Sequence, residues 1–180
     1  MDIVILPTLG AALTAACVTD LTSQRIPNVL TYPLMLVGLA YHAALYGVTG
    51  LGFSAAGLGA GFALLLLQFM LGFVGAGDVK LLAAVGAWLG WQGVLTAFVF
   101  TTLLGGVYGL VVLAFHKGAL RRMAASLWTA LRVLPLTKRF SYAPVLDGEK
   151  LPQLCYAVAI AAGTFSALVY RSLTGGWLLN

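Results

Sequence analysis

The apolar and polar positions of this chain alternate in long blocks. Residues 3–19 are apolar apart from threonines, and a polar connection runs from Asp20 through Arg25, Ile26, Pro27 and Asn28. Seventeen helical residues cover roughly 26 Å, close to the minimum for crossing a bilayer. A second apolar block covers 29–46 and contains Pro33, which predicts a bend. A turn at Gly47–Gly50 leads into a third block, 51–73, whose glycines at 57, 59 and 61 predict close helix packing. Gly75-Ala76-Gly77-Asp78-Val79-Lys80 ends that block.

From Leu81 to Phe115 there is no charge. A helix of that length would reach about 52 Å, too long for one crossing of a ~30 Å hydrocarbon core. Gly90-Trp91-Gln92-Gly93 is the first candidate for a break, and Gly105-Gly106 the second. The first choice leaves a short arm at 79–89, about 16 Å long, followed by a full span at 94–115. So short an arm puts either the turn or Asp78 inside the membrane, where irregular backbone needs protein or a wet cavity around it. Residues 116–150 break the apolar pattern, and 151–170 form the last span. The expectation is an all-α polytopic protein with six transmembrane helices, one of them short, in a single membrane-embedded domain over 1–180.

Composition supports this. The chain is 61% hydrophobic and 8% charged, against about 25% charged residues in soluble domains. The formal charge of +5 does not point to nucleic acid, because it is concentrated in one connection. Lys117, Arg121, Arg122, Arg132, Lys138, Arg139 and Lys150 make seven of the ten basic residues. Residues 120–134 have amphipathic helical spacing, suited to an anionic lipid surface, and a solvated loop that only fixes topology is an equal reading. With six spans and the N-terminus outside, nine basic residues lie inside and only Arg171 outside, so the long loop is cytoplasmic. The same count puts Asp20 and Asp78 on the cytoplasmic side.

The N-terminal block lacks a basic flank, which argues against a cleaved signal peptide, and Leu13–Cys17 is a poor lipoprotein box. Cys17 and Cys155 lie in apolar runs and are expected to be buried hydrophobes. His42 and His116 lack metal-ligand spacing, and no metal or cofactor is expected.

The chemistry rests on the acids. Asp2 is terminal, and Asp147 and Glu149 sit in the basic loop, which leaves Asp20 and Asp78. Taken singly, each is an ordinary helix-capping or interfacial residue. Together, two carboxylates in one confined site cannot both ionise cheaply, so one keeps a proton. Such a pair activates water with one member and hydrogen-bonds a scissile carbonyl with the other. A proton- or cation-coupled carrier using the same two acids is the alternative, since broken helices also mark transporters. A third reading is a non-catalytic assembly factor that docks a partner through the basic loop.

Gly75-Ala76-Gly77-Asp78-Val79-Lys80-Leu81 resembles the GxGD motif of the membrane aspartic proteases that process prepilins and archaeal preflagellins. Asp20-Leu21 followed by Arg25-Ile26-Pro27-Asn28 is similar to that family's first aspartate segment. Leu151-Pro152 with Ala157–Gly163 resembles its last helix, with Gln153 where an aromatic is usual. The resemblance implies that Asp20 and Asp78 are the catalytic pair. It also implies cleavage of the leader of a prepilin or pseudopilin precursor on the cytoplasmic face of the bacterial inner membrane, among membrane lipids and without nucleic acid. Larger members carry a cytoplasmic insertion with paired CxxC motifs linked to N-methylation. This chain has no such insertion, so methyltransferase activity is not expected, and the compact form resembles the peptidases of tight-adherence (Flp-type) pili. Gly75 and Gly77 would allow close backbone approach, Pro27 would start the second helix, and Asn28 would hold the Asp20 loop. Lys80 and Arg25 would tune an aspartate or meet an acidic substrate group, although snorkelling to the interface is the commoner behaviour of such residues.

Overall fold

A computed structural model describes residues 4–115 and 155–178. The basic loop, including the amphipathic stretch 120–134, and the Leu151-Pro152 segment lie outside these residues. The described chain is helical, with four elements: α1 (Ile5–Ser23), α2 (Asn28–Met70), α3 (Ala76–Phe115) and α4 (Tyr156–Thr174). Residues up to Gly105 form one compact unit with those from Cys155 onward, and the remainder of α3 belongs to another. All four elements are long and apolar enough to cross a membrane.

Four elements stand where six spans were expected, because α2, with 43 residues, and α3, with 40, each join two helical arms across a kink. Each carries one residue with non-helical backbone angles, Gly47 (φ 63°) in α2 and Gly90 (φ 73°) in α3. Both angles lie in the region that favours glycine. The chain bends sharply at Gly47. The rings of His42 and Phe53 have centroids 5.2 Å apart, whereas eleven residues of straight helix would separate them by about 16 Å. At the second site the break falls on Gly90, the first sequence candidate, while Gly105-Gly106 stay helical. Pro33 also lies within continuous helix. The third apolar block ends at Met70, before the expected limit of 73.

The first arm of α3 is the centre of the unit. Residues 78, 79 and 81–90 are buried, including Leu81, Leu82, Val85 and Trp88. A helix that is apolar on every side suits such a position. This resolves the problem of the short arm: protein surrounds it, so it does not need to span lipid. Around it the other segments approach closely. A Cβ on Gly57 would run into the carbonyl of Gly86, and one on Gly61 into Leu82 and Ala83. Gly59, on another face, meets nothing within 4 Å. Only two of the three glycines are therefore packing residues. The Trp88 indole donates to the Leu34 carbonyl at 2.9 Å, and Ser54 Oγ donates to the Ala87 carbonyl at 2.6 Å. Each gives a buried polar group a partner in surroundings without water.

The outside of the unit is apolar as well, with Val29, Leu36, Val48, Leu67 and Leu173 exposed. That is the surface of a protein solvated by lipid. Thr8, Thr14, Thr22 and Ser23 on α1 satisfy their hydroxyls by donating to carbonyls four residues back.

Candidate active site

Helix α1 continues past Asp20, where the sequence predicted its end, and stops at Ser23 with Gln24 in a left-handed conformation (φ 51°). Thr19, Thr22 and Ser23 in this last stretch donate their hydroxyls to carbonyls of the preceding turn. Asp20 thus stands on a rigid helix, 8% exposed. Its Oδ2 accepts the backbone N–H of Ala157 at 3.2 Å. Ala157 is in the first turn of α4, where N–H groups lack helical partners and the helix dipole favours a negative charge. A residue 137 positions away therefore fixes the carboxylate, and nothing local in the sequence announces that contact.

Asp78 lies in the first turn of α3 and is 9% exposed. Its Oδ2 accepts the Gly75 N–H at 2.9 Å. This is half of a capping box, with the third helical residue reaching back to the residue before the helix. The capping role considered for Asp78 is present in the structure, and it holds the carboxylate in one orientation.

Asp20 and Asp78 lie within electrostatic reach of each other, and both act on Cys155. Burial pushes the Cys155 thiol above its usual range, and the two aspartates add to the rise. Cys155 precedes α4, and its Sγ is 3.9 Å from the Asp20 carbonyl oxygen. Cys17 Sγ approaches the Ala157 carbonyl at 3.6 Å. Both cysteines are half-buried and free, so the expectation of fully buried thiols is corrected: they line the approach of α1 to α4.

The two motif segments touch. A Cβ on Gly77 would sit 3.0 Å from Ile26 Cβ, so the missing side chain lets α3 settle against the loop that follows Asp20. Lys80 Nζ donates to Asn28 Oδ1 at 2.8 Å and lies 5.0 Å from the centre of the Tyr32 ring. The exposed Lys80 ammonium is thus paired with the Asn28 side chain. Arg25 and Pro27 are exposed, as is Gly75. Among the described residues no group of His, Cys, Asp and Glu is arranged to hold a metal ion.

Comparison with known proteins agrees with the sequence resemblance. The type IV leader peptidase family matches residues 8–110, which include Asp20, Asp78 and both motif segments. A prepilin leader peptidase/N-methyltransferase of Aeromonas salmonicida (strain A449) is 38% identical over 114 residues, covering 58% of this chain and 38% of that protein. The protein of the same name from Escherichia coli (strain K12) is 34% identical over 122 residues, covering 63% of this chain and 53% of its own. That from Burkholderia pseudomallei (strain 1026b) is 36% identical over 121 residues, covering 63% and 38%. The chain thus spans about half or less of the length of these curated relatives. No solved structure matches it significantly. The family match covers more than half of the chain and takes in α1 from Thr8, all of α2 and α3 up to Leu110, and on that ground the protein belongs to the type IV leader peptidase family.

Proposed function

We propose that the protein is an aspartic endopeptidase that removes the leader peptide of type IV prepilins or pseudopilins at the cytoplasmic face of the inner membrane. Asp20 and Asp78 are the catalytic pair. The observation that carries the reading is that two buried carboxylates, each oriented by a backbone N–H at a helix N-terminus, lie within electrostatic reach of each other. In this reading one carboxylate takes a proton from water as the oxygen attacks the scissile carbonyl. The other, protonated, hydrogen-bonds the carbonyl oxygen as negative charge develops there. Collapse of the tetrahedral intermediate breaks the C–N bond, and the departing amine takes the proton.

The reading extends to the membrane. The bends at Gly47 and Gly90 divide the four helical elements into six crossings, with the central arm of α3 enclosed by the others. The positive-inside count then puts residues 116–150, and the aspartates, on the cytoplasmic side. The whole chain works as one membrane-embedded domain with peptidase but not methyltransferase activity, in the manner of tight-adherence pilus peptidases. Gly75, Gly77, Pro27, Asn28, Lys80 and Arg25 shape the site, and Arg25 is exposed enough to meet substrate.

Co-expression with a prepilin, read as leader removal on a gel, tests this. Asp20→Asn and Asp78→Asn each abolish cleavage while the protein stays in the membrane. Full processing by either variant refutes the proposal. Acid-dependent ion flux in liposomes without cleavage would favour a carrier.

A further inference from the structure

A second polar feature lies at the opposite end of the unit. Ile5 is fifteen residues before Asp20 on α1, and Arg171 is fifteen residues after Tyr156 on α4. Either distance is about 22 Å of helix. Between them is an open cavity of ≈ 360 Å³. His42, Arg171 and Thr49 contribute its polar lining, and Ile5, Phe53 and Trp88 contribute apolar walls. The aspartate chemistry uses none of these residues.

His42 is the informative group. It is 4% exposed, an ionisable side chain buried in an apolar bundle, which calls for a functional account. Its Nδ1 lies 3.0 Å from the Gly38 carbonyl. A carbonyl only accepts, so Nδ1 carries the hydrogen, and in the neutral ring Nε2 is an acceptor. Nε2 has no hydrogen-bond partner among the described residues, and it is not one of the sealed polar atoms. The ring is fixed by Tyr41, Tyr46 and Phe53. A rigid, unpartnered acceptor thus borders the cavity.

Arg171 supplies the complementary charge. Its guanidinium stacks on the Trp177 ring at 4.5 Å, which occupies its face and leaves its N–H edges free to pair with an anion. No carboxylate lines the cavity among the described residues. Thr49 Oγ1 donates to the Tyr46 carbonyl at 2.7 Å, so its lone pairs remain available as acceptors. The Arg–Trp pair marks the depth of a membrane interface. The surface beside the cavity is lipid-facing, with Tyr46, Leu51 and Phe53 exposed.

We propose that this cavity binds the headgroup of an anionic phospholipid whose head also carries a hydroxyl, as in phosphatidylglycerol. The phosphate pairs with Arg171, the head hydroxyl donates to His42 Nε2, and the acyl chains lie along the apolar surface outside. The walls explain why a lipid fits better than a soluble anion: most of the lining is hydrocarbon and would be left uncovered by a small ion.

Native mass spectrometry of the purified chain in mixed micelles of phosphatidylglycerol and phosphatidylcholine tests the assignment. Wild type retains phosphatidylglycerol over phosphatidylcholine by about tenfold, the scale of one charge-assisted contact. Arg171→Gln loses the preference, and Arg171→Lys, which keeps the charge, retains part of it. His42→Phe keeps the ring packing and narrows the preference for phosphatidylglycerol over phosphatidylcholine without abolishing it, since the Arg171 contact remains. Unfolding midpoints measured alongside identify any variant that has simply lost its fold, and the Arg171 pair decides the question without His42. Equal retention of both lipids by wild type, or an unchanged preference in Arg171→Gln, overturns the proposal. Competition by millimolar glycerol 1-phosphate would reassign the cavity to a free polyol phosphate and overturn the lipid assignment. Leader cleavage is not the readout, so the result stands apart from the peptidase reading.

Discussion

Lys80 and Asn28, fifty-two positions apart, are joined by a hydrogen bond of 2.8 Å. The bond ties the first turns of α3 to the start of α2. Asp78 is two residues before Lys80, and the loop from Asp20 ends at Asn28. The contact therefore fixes one aspartate segment against the other. Lys80→Ala and Asn28→Ala should each slow leader cleavage, and the double variant should be little worse than either single one. A hydrogen bond involving a charged group contributes about 1.5–3 kcal/mol when protected, and this one is exposed, so a coupling of about 1 kcal/mol is expected from the double-mutant cycle. Additive losses would mean that the two side chains act independently.

Cys155 offers a probe of the aspartates that does not depend on substrate. Burial, then Asp20, then Asp78 hold its thiol above the usual range. A nearby negative charge disfavours thiolate, so removing one lowers the thiol pKa and increases the thiolate present at a given pH. In a Cys17→Ser background, Asp20→Asn should make Cys155 react faster with iodoacetamide at mildly alkaline pH, and Asp78→Asn should do so to a smaller extent. Identical alkylation rates in all three proteins would contradict the convergence of the two carboxylates on this thiol.

The glycines of α2 separate packing from composition. Gly57→Ala puts a methyl group into the Gly86 carbonyl, so the central arm must move. Overpacking of this kind costs about 1–3 kcal/mol, and the thermal unfolding midpoint in detergent should fall accordingly. Gly59→Ala has open space around it and removes a flexible residue from a helix. It should be neutral or stabilising by up to about 1 kcal/mol.

Gly90 carries both a backbone and a packing constraint. Its φ of 73° disfavours any side chain, and a Cβ there would strike the Phe53 ring. Gly90→Ala should destabilise the protein by at least the 1–2 kcal/mol or so expected of the left-handed backbone. Phe53→Ala in the same chain should recover the part due to the clash but not the part due to φ. Full recovery would show that the backbone angle at this bend is unimportant.

Much of the architecture is legible from the chain alone. Uninterrupted apolar blocks leave no choice but helix in lipid, since every backbone group must be satisfied within its own segment. The block boundaries point to the bends at Gly47 and Gly90, and the lack of charge from Leu81 to Phe115 requires the second of them. Asp20 and Asp78 stand out because an acid among apolar residues is costly and therefore rare. What the sequence misjudges is local continuation. Helix α1 runs through Asp20 to Ser23, beyond the apolar block, with its hydroxyls bonded to carbonyls of the preceding turn, and among the described residues the expected spans fall into four elements, two of them kinked at a glycine.

The contacts that orient the chemistry belong to the tertiary structure. Asp20 is held by the N–H of Ala157, Lys80 by Asn28, and the short arm of α3 is sheltered by the close approach of Gly57 and Gly61. Each depends on which helix lies beside which, and hydrophobicity does not specify that, because one apolar face in lipid is much like another. Small residues and single polar pairs make the choice, through distances of a few ångströms that no spacing along the chain records. The sequence by itself determines that this is a helical membrane protein with two unusual acids. Only the packing of the helices decides that the two carboxylates are each held by a backbone N–H at a helix N-terminus.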